Sequence, residues 1–480
     1  MVFPATEDGR RSTAALGRQV VADALRSVDP VGARAAEQET SWRSGYVAHF
    51  RRALEAGLGT REAALSIAGN GLASLHRRMR VTADDTELPL ADWPDTGPAV
   101  SVTEVTGSRA PDTELSLPYH GERLTGDALR RRVDAWVADG VAEPSLAEAV
   151  GSVLAHPQWL RLEGHTVAVL GAGAEMGPLP SLLRWGARVA AVDLPRPAIW
   201  ERVDRLARDG AGTLLVPSTG GPSPAPDDAG PGVDLVSEVP KVADWLAAED
   251  GTLVVGNYVY ADGATHVTVS TAVDELTRRL LDARSDVAVA SLATPTDVFA
   301  VPADAVRHAT RAYESRSAGA KLVGRPLRTL SGGRLLRRAY QPDADPGVSD
   351  TIIAQQGPNY ALAKRLQRWR AGVARAGGAT VSMNVAPPTR TRSVVRNRAL
   401  AAAYGGAHRF GVEVFEPATS NVLMAILLVH DLHTGGGPRH DQPWQDEAYA
   451  AVHGGLWRTP YAPRSALGLA ALLGYGGTRG

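Results

Sequence analysis

The chain has 480 residues, 44% of them hydrophobic, and 51 Lys plus Arg set against 52 Asp plus Glu leave a net charge of −1. That length predicts two or three substructures with ample core, and the even charge argues against a nucleic-acid partner. Cysteine is absent, which excludes disulfides, thiolate metal sites and a cysteine nucleophile. No apolar run reaches membrane-spanning length and no leader pattern is evident, so a cytoplasmic location without a membrane partner is expected.

Residues 12–80 read as helices. Val20, Val21, Ala24 and Leu25 share one helical face, and Tyr46, Phe50, Leu54 and Leu58 recur at helical spacing. Residues 82–112, broken by Pro89, Pro94, Pro98 and Pro111, predict a linker or surface arm. Leu115–Tyr119 reads as a short strand before the turn at Gly121. Thr125 is placed to cap a helix carrying Leu129, Val133, Trp136 and Val137. Ser145, with Glu148 in the capping-box position, is placed to cap the next. Residues 1–160 are thus expected to form a mainly helical N-terminal region.

The rhythm changes at Thr166-Val-Ala-Val-Leu-Gly171-Ala-Gly173-Ala-Glu175-Met176-Gly177. An apolar strand runs into glycines, then come a helix-compatible segment (Leu179–Trp185), a second apolar run (Ala187–Val192) and Asp193. A dinucleotide-binding unit needs this order: glycines let the backbone approach a pyrophosphate at a helix N-terminus, and the acid meets a ribose hydroxyl. Pro178 and Pro180 are tolerable only in the first helical turn. Asp193 would repel a 2′-phosphate, so NAD is preferred over NADP, while Arg188 and Arg196 pull the other way.

Further strands are expected at Thr213–Val216, Val233–Val236, Thr252–Val255 and Val287–Ser291. Helices from Val239 to Ala248 and from Ser270 to Ala283 lie among them, with a loop over 217–232. This alternation predicts an α/β fold with a doubly wound parallel sheet. Residues 303–348, basic and Gly-rich, read as an irregular insertion or lid, and Thr351–Ala354 as a returning strand. The Rossmann-like domain so drawn spans 161–435, with 436–480 a C-terminal extension.

Asn359-Tyr360-Ala-Leu-Ala-Lys364 then opens a helix that continues through Trp369. Tyr360 and Lys364, four apart, share one helix face. An ammonium beside a phenol favours the phenolate and brings its pKa toward working pH, which makes a usable proton donor or acceptor.

These motifs together resemble the short-chain dehydrogenase/reductase family, in a divergent and expanded form, over about 164–435. The family's Thr-Gly-x-x-x-Gly-x-Gly becomes Leu170-Gly171-Ala-Gly173-Ala-Glu175-Met176-Gly177: the outer glycines fit, Gly173 is additional, and Glu175 replaces the middle glycine. Asp193 fits the acid after the second strand, Asp234-Leu235 the pair that meets the adenine, and Gly256-Asn257 part of the Asn-Asn-Ala-Gly turn. Asn384-Val-Ala-Pro387-Pro388-Thr-Arg-Thr391 resembles the segment that holds the nicotinamide, with Pro388 in place of glycine and one residue fewer. Arg409-Phe410-Gly411 and the apolar helix to Leu428 resemble the family's C-terminal helix.

The resemblance implies that Gly171, Gly173, Glu175, Met176, Gly177, Asp193, Asp234, Leu235, Gly256, Asn257, Pro387 and Thr391 hold the dinucleotide, with Tyr360 and Lys364 as the catalytic pair. Where the family has a serine thirteen residues before the tyrosine, this chain has Gly347. Ser349 and Thr351 are the near substitutes; Thr294 and Thr296 would serve if 303–348 is an insertion. Glu175 would repel a pyrophosphate if it faced one, and pointing outward would bond a backbone N–H or a substrate group.

Other clusters carry less. His430, Asp431, His433, His440 and Asp441 read as a polar helix end more simply than as metal ligands, so no metal is expected. No Gly-x-Ser-x-Gly elbow exists for a hydrolase. Ser116, Tyr119 and His120 read as a surface turn, and Arg325, Arg328, Arg334, Arg337 and Arg338 as a solvated face. The leading expectation is an NAD(P)-dependent oxidoreductase interconverting an alcohol and a ketone of a small-molecule substrate, with a homo-oligomer allowed. The alternatives are a catalytically silent nucleotide-binding or assembly module and an NAD-retaining dehydratase or epimerase.

Overall fold

The computed structural model describes residues 1–6, 8–83, 85–94, 99–218 and 230–475. Seven strands build its central sheet: β1 (Ser101–Thr106), β2 (His165–Leu170), β3 (Arg188–Val192), β4 (Thr213–Ser218), β5 (Thr252–Asn257), β6 (Val287–Ala293) and β7 (Val381–Val385). Their order is β7-β6-β5-β2-β3-β4-β1. All neighbours are parallel except β1, which pairs antiparallel with β4 from Ser101↔Ser218 to Thr106↔Thr213. The six parallel strands follow the doubly wound order of dinucleotide-binding sheets, consistent with a Rossmann-like fold, and the order reverses between β2 and β5. Their near-continuous runs of Val, Ala and Leu suit strands covered on both faces.

One face of the sheet packs on the helices Leu235–Ala247, Gly263–Ala283 and Gly357–Ala376. The N-terminal helices Thr13–Leu25, Pro30–Glu37, Trp42–Gly57 and Arg61–Arg78 continue that layer, so that Leu16, Phe50 and Leu72 share one buried cluster with Val255, Leu276 and Leu366. Polar groups lock the seam. Arg370 donates to both oxygens of Asp274 (2.7 and 2.8 Å), and His76 meets Asp274 at 2.6 Å and Glu275 at 3.2 Å. The opposite face is covered by helices including Gly126–Ala138, Ser145–Ala155 and Pro417–His433, whose Trp136, Val150 and Leu427 pack with Val167 and Val254.

Several local expectations need correction. Val233–Val236 is not a strand: Asp234 caps the helix Leu235–Ala247 by accepting from the Val236 N–H at 2.9 Å. Thr351–Ala354 is not one either. The strand lies just before it, Gly347–Asp350, in a hairpin with Val298–Val301. Between those hairpin strands, part of the supposedly irregular 303–348 segment forms the helices Ala303–Glu314 and Ala318–Leu330. Ser145 is the first residue of its helix rather than the cap, and its Oγ accepts from the Ala450 N–H. Within 82–112 the chain forms part of the hairpin Arg80–Ala83/Thr86–Pro89 and then β1. Most of the loop expected over 217–232, Pro98 and the last five residues of the C-terminal extension lie outside the described residues. Among the described residues no helix is long and apolar enough to cross a membrane.

Candidate active site

A cavity of about 1650 Å³ opens at the carboxyl ends of the parallel strands, over the point where their order reverses. Open α/β sheets bind ligands there. It is walled by Gly171, Gly173, Glu175 and Met176 after β2, Asp193 after β3, Asp234 and Leu235 after β4, and Asn257 at the end of β5. Thr294 follows β6, Pro387 and Thr391 follow β7, and Tyr360 and Lys364 come from the helix Gly357–Ala376. Residues spread over more than 200 positions of sequence are thus brought together. Gly177, Gly256, Ser349 and Thr351 are not in the wall.

The glycine turn has physical reasons for its composition. Gly171 has φ +86°, and a Cβ there would meet the Tyr258 carbonyl carbon and Val259 nitrogen at 3.0 Å. Backbone atoms cannot yield as a side-chain end does, so only glycine fits. At Gly173 a Cβ would press on Asp193 Oδ2 at 3.1 Å. That oxygen accepts from the Gly173 N–H at 2.7 Å and Asp193 Oδ1 from the Leu194 N–H at 2.8 Å. The acid therefore braces the turn, and each oxygen keeps a further lone pair for a ribose hydroxyl. Gly256 meets the Tyr258 ring at 2.6 Å from a notional Cβ, which makes it a packing glycine.

A pyrophosphate would need donors at this turn. The N–H groups of Glu175 and Met176 have no backbone acceptor among the described residues, and both residues border the cavity. The donor set fits an anionic dinucleotide, although Pro180 removes one donor from the first turn of the helix Leu179–Trp185. Glu175 points away from that role. Its Oε2 accepts from the Arg392 N–H at 3.0 Å, with the Arg392 guanidinium 3.7 Å away, tying the β2 turn to the segment after β7. Arg196 borders the cavity, whereas Arg188 is engaged by Glu104 and Glu249.

At the other end the candidate hydroxyls lie in different surroundings. Thr294, directly after β6, is near enough to Tyr360 to favour its phenolate, against a larger upward push from burial. Thr294 Oγ1 lies 2.8 Å from Thr296 Oγ1, and Thr296 donates to Gln356 Oε1 at 2.8 Å. Thr351 instead donates to the Pro295 and Asp297 carbonyls (2.6 and 2.5 Å), and Ser349 is buried in the hairpin. Along the chain the helices Ala303–Glu314 and Ala318–Leu330 separate the end of β6 from Tyr360, so Thr294 is far from the tyrosine in sequence and Ser349 and Thr351 are near it.

The expected action of Lys364 on Tyr360 also needs revision. Lys364 Nζ donates to the Leu292 carbonyl (3.4 Å) and to Gln367 Oε1 (3.1 Å), and Gln367 in turn donates to Asn257 Oδ1 (3.1 Å). Burial lowers Lys364 to about 8. Tyr360 is driven well above the ordinary phenol value by burial, so it carries its proton at neutral pH. The phenol begins as a donor rather than as a phenolate.

Sequence reasoning passed over His266, on the helix Gly263–Ala283. It borders the cavity, 5.6 Å from the Tyr360 ring between centroids, and neither ring nitrogen has a hydrogen-bond partner among the described residues. Tyr260 and Tyr404 border the same end, and from the N-terminal helices Trp42 and Arg43 reach it. Elsewhere, Asp431 accepts from Ser382 (2.7 Å) and Asn384 (2.8 Å), and His433 stacks on Trp159 at 4.7 Å. No cluster of three or more His, Asp or Glu among the described residues is arranged to hold a metal.

No family model and no curated protein matches this chain. Among solved structures, a thiolation-reductase di-domain from an archaeal non-ribosomal peptide synthetase is similar at a TM-score of 0.26 and 12% identity, over 59% of this chain and 57% of that one. So distant a likeness carries no argument about chemistry.

Proposed function

We propose that this protein is an NAD(P)-dependent oxidoreductase that interconverts an alcohol and a ketone, with NAD preferred. One observation carries the reading: the proton-bearing phenol of Tyr360, the amine of Lys364 and the hydroxyl of Thr294 border the same cavity as the glycine turn. The Glu175 and Met176 N–H groups would hold the pyrophosphate, and Asp193 a ribose hydroxyl. When bound, the nicotinamide supplies or accepts the hydride.

In the reducing direction Tyr360 gives its proton to the carbonyl oxygen, and the Thr294 hydroxyl, turned from Thr296 toward the substrate, donates a second hydrogen bond to that oxygen. Lys364, held by the Leu292 carbonyl and Gln367, brings its positive charge to the cavity wall and would meet a ribose hydroxyl of the bound nucleotide. A positioned acid of this kind contributes roughly 10²–10⁴ in rate. Purified protein given NADH and a panel of ketones should oxidise NADH, and Tyr360→Phe should lower the rate by about that factor while cofactor affinity stays nearly unchanged. Unchanged turnover in Tyr360→Phe would overturn the assignment. Dinucleotide binding without NADH oxidation would favour the silent module, and a resident dinucleotide that never exchanges would favour the epimerase.

A further inference from the structure

A buried polar group that the protein leaves unsatisfied marks a place where something else completes it. His266 is 1% exposed in the cavity wall, and both of its nitrogens stand without a partner among the described residues. The Val259 backbone is close enough to favour the charged ring slightly, without hydrogen-bond alignment to either nitrogen. Around the ring lie Tyr260 (5.3 Å between centroids), Tyr360 (5.6 Å) and the Lys364 amine, with no carboxylate partner among the described residues.

A neutral imidazole offers one donor and one acceptor. A hydroxyl answers both, whereas a carbonyl answers only the donor, and a carboxylate would have to shed its water among buried aromatic rings. With 5.6 Å between their ring centroids, His266 and Tyr360 stand at one end of the cavity, within reach of two oxygens of one small molecule.

We propose that His266 is a substrate-binding residue and that the substrate is an α- or β-hydroxy ketone, its carbonyl at Tyr360 and its hydroxyl at His266. This rests on the assignment of Tyr360 as the proton donor. His266 itself exchanges no proton with the reacting carbonyl. It selects the substrate by pairing with the second oxygen, and a ketone lacking that oxygen leaves the imidazole unpaired.

The test uses the full chain with 2-hydroxyacetophenone and acetophenone, which differ by one hydroxyl, and benzoylformate as the charged analogue. Binding is read by quenching of tryptophan fluorescence and turnover by NADH absorbance. The hydroxy ketone should bind at least about tenfold more tightly than acetophenone. His266→Phe should erase that ratio while leaving acetophenone within about twofold, and His266→Gln should restore part of it. His266→Gln also serves alone if the Phe variant fails to fold.

A ratio near one in the natural protein, or one that survives both substitutions, overturns the proposal, as does tighter binding of benzoylformate. His266-dependent binding without NADH oxidation keeps the hydroxyl site and removes the oxidoreductase reading. Tyr360-dependent turnover with a hydroxyl preference indifferent to His266 does the reverse.

Discussion

His76, at the seam where the N-terminal helices dock, and His266, in the cavity wall, are both enclosed imidazoles pushed in opposite directions. Burial disfavours the charge on His76, but the hydrogen bonds it donates to Asp274 and Glu275 outweigh that and raise the group to about 9. Burial, reinforced by the Lys364 charge, lowers His266 to about 3. At the seam the chain answers each charge with its own opposite; in the cavity it leaves donors and acceptors open. The first pattern belongs to a joint made to stay shut, the second to a space made to be filled.

The comparison breaks most severely if the seam is not held by its charges. Asp274 is 4% exposed between Arg370 and His76, so Asp274→Ala should cost about 3–5 kcal/mol in urea unfolding by stranding both cations. A loss under about 1 kcal/mol would show an idle network. The linked pH effect is smaller. Because His76 is raised from 6.5 to about 9, its stabilisation is complete below pH 6.5 and is lost as pH rises through about 9. The unfolding free-energy difference between the natural protein and His76→Gln, on the order of 2 kcal/mol in acid, should shrink toward zero above that pH. A difference that does not change with pH would assign His76 a packing role only.

On the cavity side, Lys364 lowered to about 8 predicts that kcat/KM for ketone reduction falls about tenfold per unit once pH passes that value. Lys364→Arg, charged throughout, should move the fall upward, and a profile flat through pH 8 would detach the amine from the chemistry. The smallest effect is expected at Glu175. With its carboxylate engaged by Arg392, Glu175→Gln should change dinucleotide affinity by no more than about threefold. Tightening by tenfold or more would place the carboxylate against the phosphates.

What could be read from sequence followed backbone physics. Val-Ala-Val-Leu before Gly171 and the run before Asp193 are strands because nothing in them resists burial, and the turn needs glycine at a positive φ. β7 escaped notice because Ser382 and Asn384 interrupt its apolar pattern; both are buried polar residues paid for by Asp431. Val233–Val236 looked like a strand by composition, although Asp234 is a ready N-cap. Thr294 could be named only as an alternative, because spacing along the chain does not reveal which segment folds out between a strand and its partner helix. His266 carries no motif at all. A lone histidine acquires meaning only when its neighbours are known.

The antiparallel β1 also bears on how copies of this chain can meet. It closes one side of the sheet, with five of its six residues exposed and Glu104 paired to Arg188 at 2.8 Å. A bare parallel edge would present a row of amides ready to template a neighbour's strand. β1 still presents such a row on its outer side, while on the inner side Glu104 ties it across β4 to β3, so the border strand is held to the sheet by a charge pair as well as by its backbone ladder.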